Sequence, residues 1–277
     1  MTTLRIVFAL KMLYGNFLVT QNRALTPSDY DPYSTLAPTD PRLPNDGGYV
    51  VSGLYDLNPL KTVGGIPVDN YQTFADNFGK QYEHWNGVDV NVNARLHSGV
   101  RLAGGISTGR TSTDNCDVVT KVNNPSPLYC HVDTRFLTQA KAYGAYTIPK
   151  VDVQVAGTLQ SLPGLNGFPP GSLLAKYNVS SAVVAQSLGR PLSAGAAQMT
   201  VNIVPPGTMY GERLNQLDLR FGKLLTCDRI RTAVHLDLYN ALNADTVLTQ
   251  SNAYAIWQRA QAILMARFAK LSVQFDF

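Results

Sequence analysis

The sequence predicts an all-β protein. The class is an antiparallel, up-and-down transmembrane β-barrel segment of about seven or eight strands, a partial barrel with short periplasmic turns and long extracellular loops. Three observations predict it. Apolar residues recur at every second position in segment after segment, the period of a strand with one apolar and one polar face. Short and long connections alternate along the chain, so the short turns share one end of the sheet and the long loops the other, as in outer-membrane barrels. And although 45% of residues are apolar and only 15% are charged, no apolar run approaches the ~18 residues of a membrane helix.

Each element follows from this pattern. The start, "MTTLRIVFALKMLYGNF", contains the apolar run "IVFAL". That is shorter than the ~7–15 residues of a secretory signal's apolar stretch, so it reads as strand and the chain is expected to lack its own export signal. A strand is placed around Tyr14–Thr20, with residues 1–12 left as an uncertain junction. "VDVNVNARL" sets Val88, Val90, Val92, Ala94 and Leu96 against Asp89, Asn91, Asn93 and Arg95. Ser98-Gly99 turns the chain into Val100, Leu102, Gly104 and Ile106. "FLTQAKAYGAYTI" follows, and Pro149-Lys150 turns it into "VDVQVAGTLQ". There Val151, Val153, Val155 and Leu159 oppose Asp152, Gln154, Thr158 and Gln160. "LNQLDLRFGKLL" and "IRTAVHLDLYN" meet at a turn over Cys227-Asp228-Arg229, and "ILMARFAKLSVQFDF" closes the chain.

The apolar set is expected to face lipid at Val88, Val90, Val92, Val151, Val153, Val155, Leu217, Leu219, Leu236 and Leu238. The polar set, His97 and His235 included, is expected to line a wet interior. Tyr146 and Phe268 are expected at the aromatic girdles. Lys223, on the apolar side near a short turn, is expected to snorkel. Two other readings share the periodicity. In a soluble or surface-attached all-β binding module the apolar stripes would pack on a second sheet. In a self-contained eight-stranded barrel residues 1–12 would pair with the last strand.

The long connections cover roughly 21–79, 110–134, 161–211 and 244–261. Asp29, Asp31, Asp40, Asp46 and Asp56 dot the first, where a solvated loop is expected, without the spacing of a calcium-binding helix-loop-helix. Tyr30, Tyr33, Tyr49 and Tyr55 there either contact a ligand or pack the loop on itself. Cys116 and Cys130 form a candidate disulfide in the second, worth about 3 kcal/mol by loop entropy for such a spacing, with Cys227 left as a free thiol. The four histidines show no metal-site spacing, and no nucleophile elbow or phosphate loop appears. No enzyme, cofactor or metal is expected. The net charge of +4 is scattered, which argues against nucleic acid as a partner.

Several stretches resemble the C-terminal end of TonB-dependent outer-membrane receptors. They are "GLYDLNP", "TFADNFGKQYEHWNGVDVNVNARL", "GGISTGRTSTDNC", "YCHVDTRFLTQ", "YTIPKVDVQVAGTLQS", "LNQLDLRFGKLL", "LDLYNALN" and "ARFAKLSVQFDF". The similarity is to the Oar-like group, whose members often carry a carboxypeptidase-regulatory-like domain. The resemblance implies an outer-membrane barrel of ~22 strands holding a plug domain, which imports a large or scarce ligand under drive from TonB. It further implies that the last strand is read by the barrel-assembly machinery, at Ala269, Leu271, Val273, Phe275 and Phe277. This sequence contains no plug and no TonB-contacting box, so it is expected to be a C-terminal portion of such a barrel.

Overall fold

The computed structural model describes residues 2–96, 99–164, 171–227 and 230–276. The chain runs through β1 (Thr2–Tyr14), β2 (Leu18–Asn22), β3 (Tyr30–Leu36), β4 (Val50–Leu57), β5 (Asn70–Phe74), β6 (Tyr82–Arg95) and β7 (Val100–Asp114). After the short helix α1 (Cys116–Val119) come β8 (His131–Asp133), β9 (Leu137–Ile148), β10 (Val153–Leu162) and β11 (Lys176–Ser180). Helix α2 (Ser181–Leu188) precedes β12 (Gln198–Asn202), β13 (Leu214–Cys227), β14 (Ile230–Tyr239), β15 (Val247–Gln250), β16 (Ala260–Ile263) and β17 (Phe268–Asp276).

Eight long strands form one antiparallel sheet in the order β1-β6-β7-β9-β10-β13-β14-β17, with the short β8 pairing β7. Each neighbour follows the last without crossover, the up-and-down order that alternation of short and long connections dictates. Among the described residues β1 and β17 do not pair with each other, so the sheet stays open and the closed eight-stranded arrangement is not observed. The antiparallel register places Arg95 and Val100, Ile148 and Val153, and Cys227 and Ile230 at one end. The connections 15–81, 115–136, 163–213 and 240–267 all leave from the other.

Two boundaries differ from the sequence reading. Residues 2–14 form a strand paired with β6, with a register shift between Val7 and Leu10, whereas Leu18–Asn22, in the segment expected to cross, pairs with β5 away from the main sheet. Val151 lies in the turn between β9 and β10 and is half exposed there. The residues on either side of it, Lys150 and Asp152, take positive φ of 72° and 50°, which ends the alternation before Val153.

The largest buried core lies in the long connections. It gathers Tyr33 and Val51 of the β3–β4 hairpin, Val179 and Val201 of the β11–β12 hairpin, Val184 of α2, and Ile203, Val204 and Trp257. Helix α2 fits between its flanking strands through local signals. Ser180 caps it by accepting from the Val183 amide, and Gly189 ends it at φ 74°. A smaller core of Ala75, Val118 and Val122 joins β5's exit to α1, with Phe17, Val19 and Phe78 against it. The connections are therefore a packed module and not solvated tethers.

Candidate functional site

The register sorts the sheet into two faces of opposite chemistry. On one face, successive rows read Val92, Gly104, Ala142, Leu159 and Leu217, then Val100, Tyr146, Val155, Phe221, Leu236 and Leu271. Val88, Val90, Val153, Leu219 and Leu238 share this face, so nine of the ten residues expected toward lipid lie on it; Val151, in the turn, extends no strand. Leu271 is 71% exposed, Ile106 53% and Leu236 45%. Among the described residues no helix or second sheet packs over this face. An apolar surface this wide is far beyond the scattered exposed side chains of a water-soluble monomer.

Ala269, Leu271, Val273 and Phe275 of the terminal strand fall on the same face, paired to Leu238, Leu236, Val234 and Thr232. Phe277 lies outside the described residues, as do His97 and Ser98. Tyr146 sits near the turn end of the apolar face. Phe268 does not: it stacks on Tyr239 at 4.7 Å on the opposite face, because it stands one residue before Ala269 and the period of two turns it over. Lys223 lies on the apolar face and its Nζ donates to the Val151 carbonyl in the neighbouring turn, so its charge leaves the apolar belt at the turn end.

The other face carries a connected polar network. The Arg220 guanidinium grips the buried Asp237 carboxylate through Nε and Nη2, at 2.5 and 3.0 Å. Gln160 donates to Gln216 at 3.0 Å, and Gln216 donates to Asp218 at 2.9 Å. Asp218 in turn accepts from the Asn240 amide at 2.8 Å. Asn240, the asparagine of "LDLYNALN", is 2% exposed and donates to the Ala244 and Met265 carbonyls, which pins the β14–β17 connection to the sheet. His235 lies on this face as expected, its Nδ1 buried against Gly222 with no hydrogen-bond partner among the described residues. A cleft of about 420 Å³ opens on this face between Asp89, Asn91, Asn93, Ser107, Gln139 and Lys141.

Sequence reasoning missed how Trp85 sits on this face. Its indole lies over the cross-strand pair Gly87 and Gly109, where a Cβ on either glycine would come within 2.2 Å of the ring. Only glycine leaves that space. The "HWNG" and "STGR" stretches carry the signal, but the register that joins them is tertiary.

At the loop end Cys116 and Cys130 are disulfide-bonded, with Cα atoms 4.9 Å apart. The bridge ties α1 to the residue before β8. Next to it His131 is held between two carboxylates: Nδ1 at 3.0 Å from Asp114 and Nε2 at 3.2 Å from Asp133. These contacts, Asp114 first, raise the imidazole above its ordinary pKa of 6.5. Asp114 is lowered by the Cys116 amide and then by His131, Asp133 by the Ser112 hydroxyl and then by His131. The raised histidine contributes stability that is full below about pH 6.5 and is lost as pH rises through its folded value; the lowered carboxylates contribute above their unfolded 3.8 and lose it as pH falls. Protection of the β8 amides from hydrogen exchange is therefore expected to be greatest between those limits, and His131→Gln to remove the alkaline decline while leaving the acid one. An unchanged alkaline decline in the variant would exclude this assignment.

In the packed module the first loop's aspartates are not solvated as a group. Asp56, 6% exposed, accepts from Arg190 at 2.5 Å and from the Ser193 amide at 3.0 Å, and Arg190 reaches Asp31 at 2.6 Å. Asp40, 8% exposed, is gripped by Arg42 and accepts from the Tyr254 hydroxyl, which together hold its carboxyl well below the ordinary range. Tyr33 is buried and the Tyr49 hydroxyl donates to the Ile203 carbonyl at 2.5 Å, so these two tyrosines pack the loop on itself.

Comparison with known proteins returns nothing: no family model, no curated relative and no solved structure matches this chain.

Proposed function

We propose that this chain is part of the wall of an outer-membrane β-barrel, the C-terminal portion of a TonB-dependent receptor of the Oar-like type. The observation that carries the reading is the apolar face: continuous across the seven strands from β6 to β17, exposed, and backed by a polar network on the reverse. A soluble module with these stripes needs something to cover them. A barrel wall has lipid on that side and water on the other.

The dimensions agree. From Leu217 to Leu225 the β13 stripe stays apolar apart from Lys223. At ~3.3 Å per residue and a tilt of ~40° this rises roughly 20 Å, close to the ~25 Å apolar band of such barrels. Open edges also fit a wall segment, since backbone groups at β1 and β17 need partners within hydrocarbon. In this role the assembly machinery reads β17, the polar face meets the plug, and TonB acts through that plug on the uptake of a ligand whose identity the chain does not specify.

The test is partition. Expressed with an export signal, the chain is expected in the outer-membrane fraction, resistant to carbonate and released by detergent. Recovery in the detergent-free supernatant would overturn the proposal and favour the binding module.

A further inference from the structure

Toward the loops, just beyond the last apolar row of the lipid-facing side, stand Arg110 and Arg213. Arg110 lies opposite Asn86, with its guanidinium carbon 5.9 Å from the Phe136 ring. Arg213, immediately before β13, donates from Nη1 to Ser161 Oγ at 3.0 Å and from Nη2 to the Thr138 carbonyl at 2.6 Å. Its guanidinium thus bridges β9 and β10, on the face that Thr138 and Ser161 share with Ala140 and Leu159. Only β9 separates the strands bearing Arg110 and Ser161, roughly 10 Å sideways from two strand spacings, with Arg110 four residues further toward the loops than Ser161's register partner Ile106. Both arginines are exposed, and among the described residues neither forms an ion pair. Asp133 senses the Arg110 charge, but its carboxylate is already held by His131 and Ser112.

Below Arg213, and separated from Arg110 by the hydrogen-bonded Thr108–Thr138 pair, the apolar face is grooved. Gly104, Ala140 and Ala142 lower its floor, and Val92, Leu102 and Leu159 wall a trough of about 450 Å³. Apolar space below two guanidinium groups that have no carboxylate partner suits an occupant with an apolar chain and an anionic head. We propose that the trough and the arginine pair form a binding site for a phosphate-bearing lipid, with an acyl chain along Gly104 and Ala142 and the phosphate on Arg110 and Arg213. The inference rests on the lipid-facing reading above. Guanidinium presents forked donors that match phosphate oxygens, and a cation at the hydrocarbon rim gains most from a fixed anion. A second copy docked here about a two-fold axis would set arginine against arginine.

Native mass spectrometry of the full chain released from detergent micelles tests this. Phosphatidic acid, phosphatidylcholine and diacylglycerol with the same acyl chains are the probes. Phosphatidic acid is expected to be retained at least about tenfold better than either competitor. Arg110→Gln with Arg213→Gln should abolish the preference, and Ala142→Leu, which fills the trough, should lower retention of all three lipids. Equal retention of the three by the unmodified chain, a preference that survives the double substitution, or a lipid-free dimer lost with Ala142→Leu would each overturn the site. A chain that stays soluble without detergent would overturn the lipid-facing reading itself, whereas one that inserts without headgroup preference sinks this inference alone.

Discussion

Ile106→Arg is expected, if the sheet is a barrel wall as proposed, to destabilise it by about 2–4 kcal/mol, the cost of a cation at mid-depth on the lipid side of a barrel. Ser107→Arg, one residue on, should cost less than about 1 kcal/mol. The two positions are adjacent in β7 and point to opposite faces. Ile106 stands among Val90 and Ala140 on the apolar side; Ser107 lies opposite Asp89 on the polar side, where an arginine gains a carboxylate neighbour. The contrast separates the two architectures cleanly. Ile106 is 53% exposed, so in water a charge there would be neutral or would improve solubility. In hydrocarbon it is costly. Denaturant titration in lipid vesicles, read by tryptophan fluorescence, gives both values. Equal effects at 106 and 107 would show that the apolar face does not meet lipid.

The strands and their faces were legible in the sequence because alternation is a local signal. Val88–Ala94 or Leu217–Phe221 declares its two sides without help from any other segment, and nine of ten expected apolar-face positions share one face in the register. The errors arose where a local rule changed within one or two residues. The alternation in "VDVQV" continues through Val151, yet left-handed backbone at Lys150 and Asp152 makes that residue part of the turn. Phe268 is expected at an aromatic girdle, and parity places it on the polar face with Tyr239 instead. The module of connections was not legible at all. Arg190 neutralises Asp56 from 134 residues away, and Tyr49 reaches Ile203 across 154. In a Pro- and Gly-rich stretch such apolar and acidic residues have no period, so each looks solvated until the fold brings its partner. Arg213 was hidden for the same reason: its place on the apolar side is defined by Ser161 and Thr138, 52 and 75 residues earlier.

Trp257→Ala is expected to remove about 3–5 kcal/mol from the module, the usual loss for truncating a buried tryptophan, and to leave the sheet standing. Trp257 is 3% exposed, its indole N–H donates to the Leu174 carbonyl at 2.8 Å, and the Arg42 guanidinium lies 5.7 Å from its ring. Truncation opens a cavity beside Ala175 and Ile203 and leaves the Leu174 carbonyl without that donor. None of the core residues around it belongs to the eight long strands. The sheet's stability comes instead from its ladders and, on the reading above, from lipid. Hydrogen exchange on the variant should therefore show β11, β12 and α2 losing protection by roughly that amount, while β10 and β13 keep theirs. Parallel loss in both regions would mean that the sheet and its packed connections fold as one cooperative unit, and that the core among the connections supports the wall as well as whatever binds above it.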